Sequence, residues 1–482
     1  MINLANPESL LGMLQRGRGK GFLAALEAAP EAVWPLLFEC ITHDPRIDSQ
    51  CEDRAEYYCG LITATGMDLK PLQHHLRQND AHDVDSDLWP SLTLETLTRM
   101  AQRGSLEAVH ILRDYVSYGQ AWVEVLYTLA HLDMPEVFGQ AAAEVCSRAR
   151  NDAAVHAQFE DEVRKSWRTY CYTDEDTRAR PDYWFLPIHE PWKSICARNT
   201  ELADLFRSIG IDYDQPPPPD KPSKEYLAGL SLKDMFTLVD ESNRTLFRRI
   251  LPGKVSASDE DYLLEQFATG NPAQMILALQ GLGKLGTPRA YEAVRTLIED
   301  RADISHYVRV RGIDAMAQMP GWLTLETARQ WFRRQEFNLH LAGGEILARH
   351  ATREDVPLLI EALHTPETHQ GDDCRFHNAL EALARIKGLG SVPELEQIFC
   401  QTDYSWSRYR AAKAMAATAP AEFTSRYAFE CLWDCHWGAR RVGCSVVNLS
   451  TPRALDRVRE IAADKDDGAQ EAAAQRLKES ML

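Results

Sequence analysis

The 482-residue chain carries 71 acidic and 53 basic side chains, which gives a formal net charge of -18. Hydrophobic residues make up 45 % of the chain and charged residues 26 %, a composition typical of folded globular proteins. No apolar run reaches the roughly eighteen residues of a transmembrane helix, so we expect no membrane-spanning segment and no membrane partner.

The N-terminus and the cysteines indicate a compartment. The opening sequence MINLANPESLLGMLQRGRGKG lacks the basic segment, apolar segment and cleavage site of a secretory signal. The eleven cysteines form no even framework, so we predict a cytoplasmic protein with reduced thiols. The acidic charge counts against binding to DNA or RNA, which relies on neutralising phosphates. It favours a basic protein partner, although it also serves solubility in many cytosolic proteins.

Residues 1–150 have the pattern of helices separated by polar turns. The stretch RGRGKG, with Gly17, Gly19 and Gly21, could hold a phosphate on free backbone amides. It has no preceding strand and no GK[ST] ending, so we interpret it as a turn between helices. From Leu92 onward, pairs of helices recur with a spacing close to that of the C-terminal half, which predicts divergent units of one repeated architecture.

Residues 151–225 depart from this pattern and are predicted to be an irregular insertion or linker. Pro216 to Pro219 cannot lie inside a helix, so a short polyproline II segment is expected there. The insertion is also rich in aromatic residues, which should pack on the protein itself or, alternatively, on a partner. These aromatic residues are Trp167, Tyr170, Tyr172, Tyr183, Trp184 and Trp192.

Residues 226–482 contain a repeated apolar phrase. Aligning one large apolar residue from each copy gives Leu282, Met316, Leu347, Leu383, Met415 and Val447. The steps between them run from 31 to 36 residues, which is typical of stacked helix pairs. One pair cannot bury its apolar face alone, so we predict an all-α fold, an α-solenoid of helical hairpins whose last helix forms a cap.

The repeat resembles a known family. The phrases SRYRAAKAM, RRVGCSVV and RVRGIDAM share an Arg, then small residues, then a large apolar residue. In this they resemble HEAT repeats of the type first described in bilin lyases, over nearly half of the chain. The N-terminal phrasing is similar to that of bacterial HEAT-repeat proteins. The resemblance implies that Arg309, Arg408 and Arg440 contact a neighbouring unit rather than a ligand.

Arginine and tryptophan are concentrated in the C-terminal repeats, and both are enriched at protein interfaces. The candidate partner-binding residues are Trp331, Arg333, Arg334, Trp406, Arg410, Trp433, Trp437 and Arg441. Aromatic residues interleaved with Arg can also stack bases and pair with phosphates, so a groove like that of HEAT-like DNA glycosylases is the alternative.

A cysteine cluster is a candidate for a metal site. Cys431 and Cys435 lie four residues apart, next to His436, and Cys444 follows. Thiolate and imidazole are ligands for zinc, but the spacing is not that of a zinc finger, and free cysteines are common core residues. We therefore predict no metal and no other cofactor.

No nucleophile elbow, HExxH motif or Ser-His-Asp spacing is present, so we predict no catalytic residues. The leading hypothesis is a non-enzymatic scaffold or adaptor that binds a protein on a curved solenoid surface. A specific version is an acidic binder of a basic protein, such as an immunity protein against a nuclease toxin. The alternatives are a nucleic-acid-binding protein and a lyase or metal-dependent enzyme, the lyase resting on the repeat resemblance alone.

Overall fold

A computed structural model shows that the described part of the chain is built from helices, with no strand. It describes residues 4–48, 52–79, 91–132, 134–172, 189–197, 200–208, 210, 226, 229–240, 244–300, 304–365, 374–465 and 467–480. The predicted all-α class is therefore confirmed for these residues. Within them, no helix combines the length and apolar character needed to cross a membrane. The predicted polyproline segment, Tyr183 and Trp184 lie outside the described residues.

The helices are labelled here in chain order. Helices α1 to α12 are Leu10–Gln15, Gly19–Glu27, Pro30–Thr42, Ala55–Thr65, Lys70–Gln78, Leu92–Gln102, Leu106–Tyr115, Trp122–His131, Pro135–Asn151, Ala153–Tyr172, His189–Cys196 and Thr200–Ser208. Helices α13 to α25 are Leu232–Leu238, Arg244–Ile250, Glu260–Thr269, Pro272–Leu285, Pro288–Asp300, His306–Gln318, Gly321–Phe332, Phe337–His350, Val356–Leu363, Arg375–Leu383, Pro393–Gln401, Ser405–Thr418 and Pro420–Arg426. Helices α26 to α29 are Ala428–Cys431, Trp437–Val446, Pro452–Ala463 and Gln470–Ser480.

The chain forms two compact units. Unit 1 contains residues 1–221, 403–406 and 427–482, and unit 2 contains residues 222–402 and 407–426. The boundary near residue 222 lies close to the predicted end of the insertion. Residues 427–482 differ from the prediction, because we placed them in one array with residues 226–426, whereas they pack with the N-terminal half.

Local sequence sets the ends of the helices, as α16 illustrates. The Asn271 side chain accepts a hydrogen bond from the Gln274 amide at 3.0 Å, and the Gln274 side chain accepts one from the Asn271 amide at 2.9 Å. Pro272 occupies the first helical position, where the missing amide hydrogen has no consequence. Gly286 ends the helix in the left-handed region, at a φ of 56°, which glycine adopts without steric cost.

The repeated apolar residues lie where their spacing predicts. All six aligned residues, Leu282, Met316, Leu347, Leu383, Met415 and Val447, are buried. In unit 2, the first helices of successive pairs pack side by side, α14 with α16, α16 with α18, α18 with α20, and α20 with α22. The second helices α15, α17 and α19 also contact one another in sequence. One large apolar side chain per pair thus fills the layer between the helices.

The arginines of the repeat phrase are buried or half-buried. Arg408 is fully buried and Arg309 is half-buried. In unit 1, both ends of the Arg440 guanidinium are used: it pairs with Asp467 at 2.9 Å and donates to the carbonyls of Asp434 and Cys435. Arg440 therefore ties the start of α27 to the loop before α29.

The N-terminal glycine-rich turn packs against residues 430–435 within unit 1. The Gly17 carbonyl accepts a hydrogen bond from the Cys435 amide at 2.9 Å, and Arg18 pairs with Glu430 at 3.4 Å. A Cβ atom on Gly19 would lie 1.7 Å from the Glu430 carbonyl oxygen. Residues 16–18 therefore form the predicted turn between α1 and α2, the rest of RGRGKG begins α2, and the glycines allow close approach to the chain's own C-terminal segment.

Residues 151–225 were predicted to be irregular, but α10, α11 and α12 lie within them, because the described part of this segment has helical hydrogen bonding. One aromatic residue of the segment packs on the protein itself. Trp192 is buried against Phe138, Phe159 and Phe206, with ring centroids 5.1–6.0 Å apart. The predicted self-packing is confirmed at this position. The side chains of Trp167, Tyr170 and Tyr172 lie outside the described residues.

Candidate functional site

Four of the predicted partner-binding residues lie in unit 2. Trp331 belongs to the core, where its indole nitrogen donates to Glu299 at 3.0 Å. Arg333 and Arg334 are exposed, and Arg334 pairs with Glu336. Arg410 is half-buried and pairs with Glu381. Trp331 therefore packs the interior, and only the arginines of this group reach the surface.

The other four lie in unit 1. Trp433 is buried, whereas Trp406 is half-buried with its ring against His436 at 4.8 Å between centroids. Trp437 and Arg441 are exposed. The eight residues are thus divided between two units and between core and surface.

The cysteines do not form a metal site in the described structure. Cys431, Cys435 and Cys444 are buried, and burial raises the pKa of the Cys444 thiol to about 12. His436 instead caps α27 by accepting a hydrogen bond from the Gly438 amide at 3.0 Å. Among the described residues, no three His, Cys, Asp or Glu side chains converge as metal ligands would. These thiols therefore act as small core residues.

A row of polar side chains crosses unit 2 at one position of the repeat. It lies two residues before the aligned apolar residue, and two residues turn a helix by about 200°, so it points away from the buried layer. On the first helices α16, α18, α20, α22 and α24 this position holds Gln280, Asp314, Glu345, Glu381 and Lys413. We use the name charged row for Asp314, Glu345, Glu381 and Lys413, together with Arg311 and Arg410.

Most charges in the charged row are paired. Arg311 contacts Asp314 at 2.6 Å on the same helix. Glu381 accepts from Arg410 at 3.2 Å and from Lys413 at 2.7 Å, and both of these residues lie on the next first helix. The two Glu381 pairs tie α22 to α24 along the surface.

Glu345, in the middle of the charged row, is the exception. Among the described residues, its half-buried carboxylate has no hydrogen bond and no Lys or Arg nitrogen within 4.0 Å. Burial raises the pKa of Glu345; Arg349 and Arg410 oppose this increase, while Asp314 and Glu381 add to it. An ionised carboxylate here therefore lacks the direct partner that its neighbours have.

The repeat register explains this missing partner. Arg410 lies five residues before Met415 and reaches Glu381 on the preceding first helix. The equivalent residue on α22 is Asn378, which lies against Gly344, so that a Cβ on Gly344 would be 2.3 Å from the Asn378 Nδ2 atom. Asn378 is buried, and its Nδ2 has no hydrogen-bond partner. On α22 the amide of Asn378 therefore occupies the position that Arg410 occupies on α24. As a result, Glu345 lacks the cation that Glu381 has.

We expect Glu345→Gln to stabilise the protein by roughly 0.5–1 kcal/mol at neutral pH. Because the pKa of Glu345 is raised in the folded state, ionisation costs stability as pH rises above the unfolded value of about 4.3. The gain should therefore shrink as pH falls and vanish below about pH 3, where both states are protonated. Urea unfolding at the two pH values measures the difference.

The matched control is Glu381→Gln, the same change at the same repeat position on the next first helix. It removes the partner of Arg410 and Lys413, so it should destabilise the protein by about 1 kcal/mol at neutral pH. The same sign for both substitutions would contradict the assignment of Glu345 as the unpaired acid.

A serine and a histidine meet in unit 2 without forming a catalytic site. His377 Nε2 lies 2.9 Å from Ser407 Oγ. Ser407 is fully buried, so the hydroxyl cannot reach a substrate. This pair joins α22 to α24 and adds no chemistry to the charged row.

The comparison with known proteins is negative. No known family model and no curated protein matches the chain.

Proposed function

We propose that the protein is a HEAT-repeat-like α-solenoid that acts by binding, as a cytoplasmic scaffold or adaptor for a protein partner. The repeat architecture is supported by the side-by-side packing of the first helices of unit 2 and by the one buried apolar residue in each pair. The charged row lies on these helices and would form the contact surface.

The observation that carries the proposal is the unpaired carboxylate of Glu345. A half-buried acid without a partner costs stability, and such costs are retained at sites that bind something. A Lys or Arg side chain of a partner would supply the missing cation, in the way that Arg410 and Lys413 serve Glu381. The net charge of -18 would attract a basic partner over a longer range.

The test is capture of a partner by the purified full-length protein from nuclease-treated native lysate, with washes of increasing salt. Glu345→Lys should lose the captured protein, because it places a positive charge where the partner's cation would bind. Capture by the wild-type protein should weaken as salt rises, since charge pairs at a surface are screened. A photo-crosslinking residue at Leu341, one helical turn before Glu345, would identify the contacting segment by mass spectrometry.

The control is Glu361→Lys, which makes the same charge change on α21, away from the charged row. Glu361 is exposed and makes no side-chain hydrogen bond or ion pair within the described structure. This variant should retain the partner. Retention by both variants would exclude the charged row as the contact surface, and loss by both would indicate a general effect of net charge.

A further inference from the structure

Two arginines stack on one tyrosine of unit 2, and a third arginine lies one turn along the helix that carries the first. The Arg244 guanidinium carbon lies 4.4 Å from the centre of the Tyr307 ring, and that of Arg311 lies 4.8 Å from it. Arg248, one turn after Arg244 on α14, contributes its charge to the same tyrosine. Two helices that are distant in sequence, α14 and α18, thus bring their positive charges to one point.

These charges exceed the acids available to them. Asp314 pairs with Arg311 at 2.6 Å, but Arg244 and Arg248 have no acidic partner within the described part of the chain. The Nε atoms of Arg248 and Arg311 are shielded from solvent, and each lacks a hydrogen-bond partner. Acidic residues are abundant in this chain, which has a net charge of -18, yet within the described residues none pairs with Arg244 or Arg248. Unused guanidinium donors that converge on one point are the arrangement that recognises an oxyanion.

The pKa of Tyr307 reflects the positive charge of these arginines. Burial raises the pKa of Tyr307, but the charges of Arg311, Arg244 and Arg248, with a hydrogen bond from Arg311, outweigh it and bring the pKa below its usual value. Tyr307 therefore lies where negative charge is stabilised. Its hydroxyl is also a hydrogen-bond donor for an oxygen atom bound between the arginines.

The helix that carries two of the arginines is held in place. The Gln280 side chain on α16 donates a hydrogen bond to the Arg248 carbonyl at 2.9 Å. Phe247, which lies on α14 between Arg244 and Arg248, is buried. The arginines are therefore presented from a fixed backbone, which reduces the entropy lost when a ligand orders their side chains.

We propose that Arg244, Arg248, Arg311 and Tyr307 form a binding site for a single tetrahedral oxyanion, a phosphate or a phosphate monoester. Guanidinium groups donate paired N–H groups to such oxygens, and a doubly charged terminal phosphate matches the excess of positive charge. A nucleic-acid backbone fits less well, because the remaining charge of the chain would repel a polyanion. This site does not depend on the proposed function, since its anion need not come from the partner of the charged row.

The test is calorimetric titration of the full-length protein with inorganic phosphate at neutral pH and low ionic strength. The double variant Arg244→Gln/Arg248→Gln should weaken the wild-type affinity by roughly tenfold or more, the effect of losing hydrogen bonds to a charged ligand. Arg249→Gln is the control for loss of positive charge on the same helix, because Arg249 is exposed; it removes one charge, whereas the double variant removes two. It should leave the affinity within about twofold of the wild type.

A second measurement follows the phenol itself. Carbon NMR of ring-labelled tyrosine, assigned with Tyr307→Phe, should show the Tyr307 pKa rising when phosphate is added, because the anion neutralises the arginines. Phenyl phosphate as a second ligand separates the sources: tighter binding than inorganic phosphate indicates an anion carried on a side chain, and weaker binding indicates the free ion. An unchanged Tyr307 titration, or equal loss of affinity in the Arg249→Gln control, would overturn the site.

Discussion

Replacing Glu52 by Gln should lower the free energy of unfolding by about 3–5 kcal/mol. The side chains of Glu52 and Arg54 are both fully buried in unit 1, with Oε1 and Nη2 2.7 Å apart. Glu52 also accepts hydrogen bonds from the backbone amides of Ser405 at 3.0 Å and Ile47 at 2.8 Å. Gln keeps the shape of the side chain but removes its charge, so Arg54 would remain buried without a counter-ion.

This loss should depend on pH in a defined direction. Burial raises the pKa of Glu52, but the charge of Arg54 and the hydrogen bonds from Ser405, Arg54 and Ile47 outweigh it and lower the pKa. The ionised carboxylate therefore stabilises the protein above its unfolded pKa of about 4.3, and this contribution disappears as pH falls. Urea unfolding should show the largest difference between wild type and variant at neutral pH and a smaller one in acid.

Glu56→Gln provides the comparison. Glu56 pairs with Arg103, and 26 % and 48 % of their side-chain surfaces remain exposed, so water can replace the lost interaction. We expect this variant to lose less than about 1 kcal/mol. A loss from Glu52→Gln as small as this would mean that water reaches the Glu52–Arg54 pair after the charge is removed.

The helices and the register of the repeats could be predicted from the sequence because both depend on local information. Capping residues such as Asn271 and Gly286 act within one turn of the helix that they end. The recurring apolar residue is equally local, since each helix pair must bury one in order to stack. Burial of Leu282 and Leu347 follows from spacing alone, without knowledge of the partner helix.

Contacts between distant segments could not be predicted in this way. The sequence places Trp331 and Trp437 in one composition class, yet Trp331 lies in the core of unit 2 and Trp437 is exposed in unit 1. Helical spacing alone does not separate a buried tryptophan from an exposed one. Nor does any local pattern connect the RGRG turn to Glu430, because a glycine in a turn has the same sequence signal whether or not another backbone packs on it.

The charged row could have been predicted from the repeat pattern, although a count of residue types does not reveal it. Counting Arg and Trp directs attention to residues such as Arg334, which pairs with the nearby Glu336. Reading two positions before each aligned apolar residue instead gives the half-buried series that includes Asp314, Glu345 and Glu381. The sequence pattern does not show that Glu345, among the acids of this series, lacks a partner. The reason is that Asn378, and not a cation, lies at the matching position of the next first helix.

The second large effect is expected from Gly19→Ala, which should destabilise unit 1 by about 3 kcal/mol. Ala favours a helix over Gly by about 1 kcal/mol, and Gly19 is the first residue of α2, so local propensity alone predicts a gain. The added Cβ would lie 1.7 Å from the Glu430 carbonyl oxygen, a backbone atom that cannot rotate away. The whole segment must shift, and the Cys435–Gly17 hydrogen bond and the Arg18–Glu430 pair should weaken with it.

Gly139→Ala separates the two effects, because it makes the same substitution inside α9 of the same unit, where the new Cβ would have no neighbour within 4 Å outside the backbone of its own helix. It should stabilise the protein by up to about 1 kcal/mol. Hydrogen exchange adds a local readout: in Gly19→Ala the Cys435 amide should lose protection, whereas Gly139→Ala should leave it unchanged. If both substitutions stabilise the protein, Gly19 is free of the C-terminal segment, and the glycine-rich turn requires a different explanation.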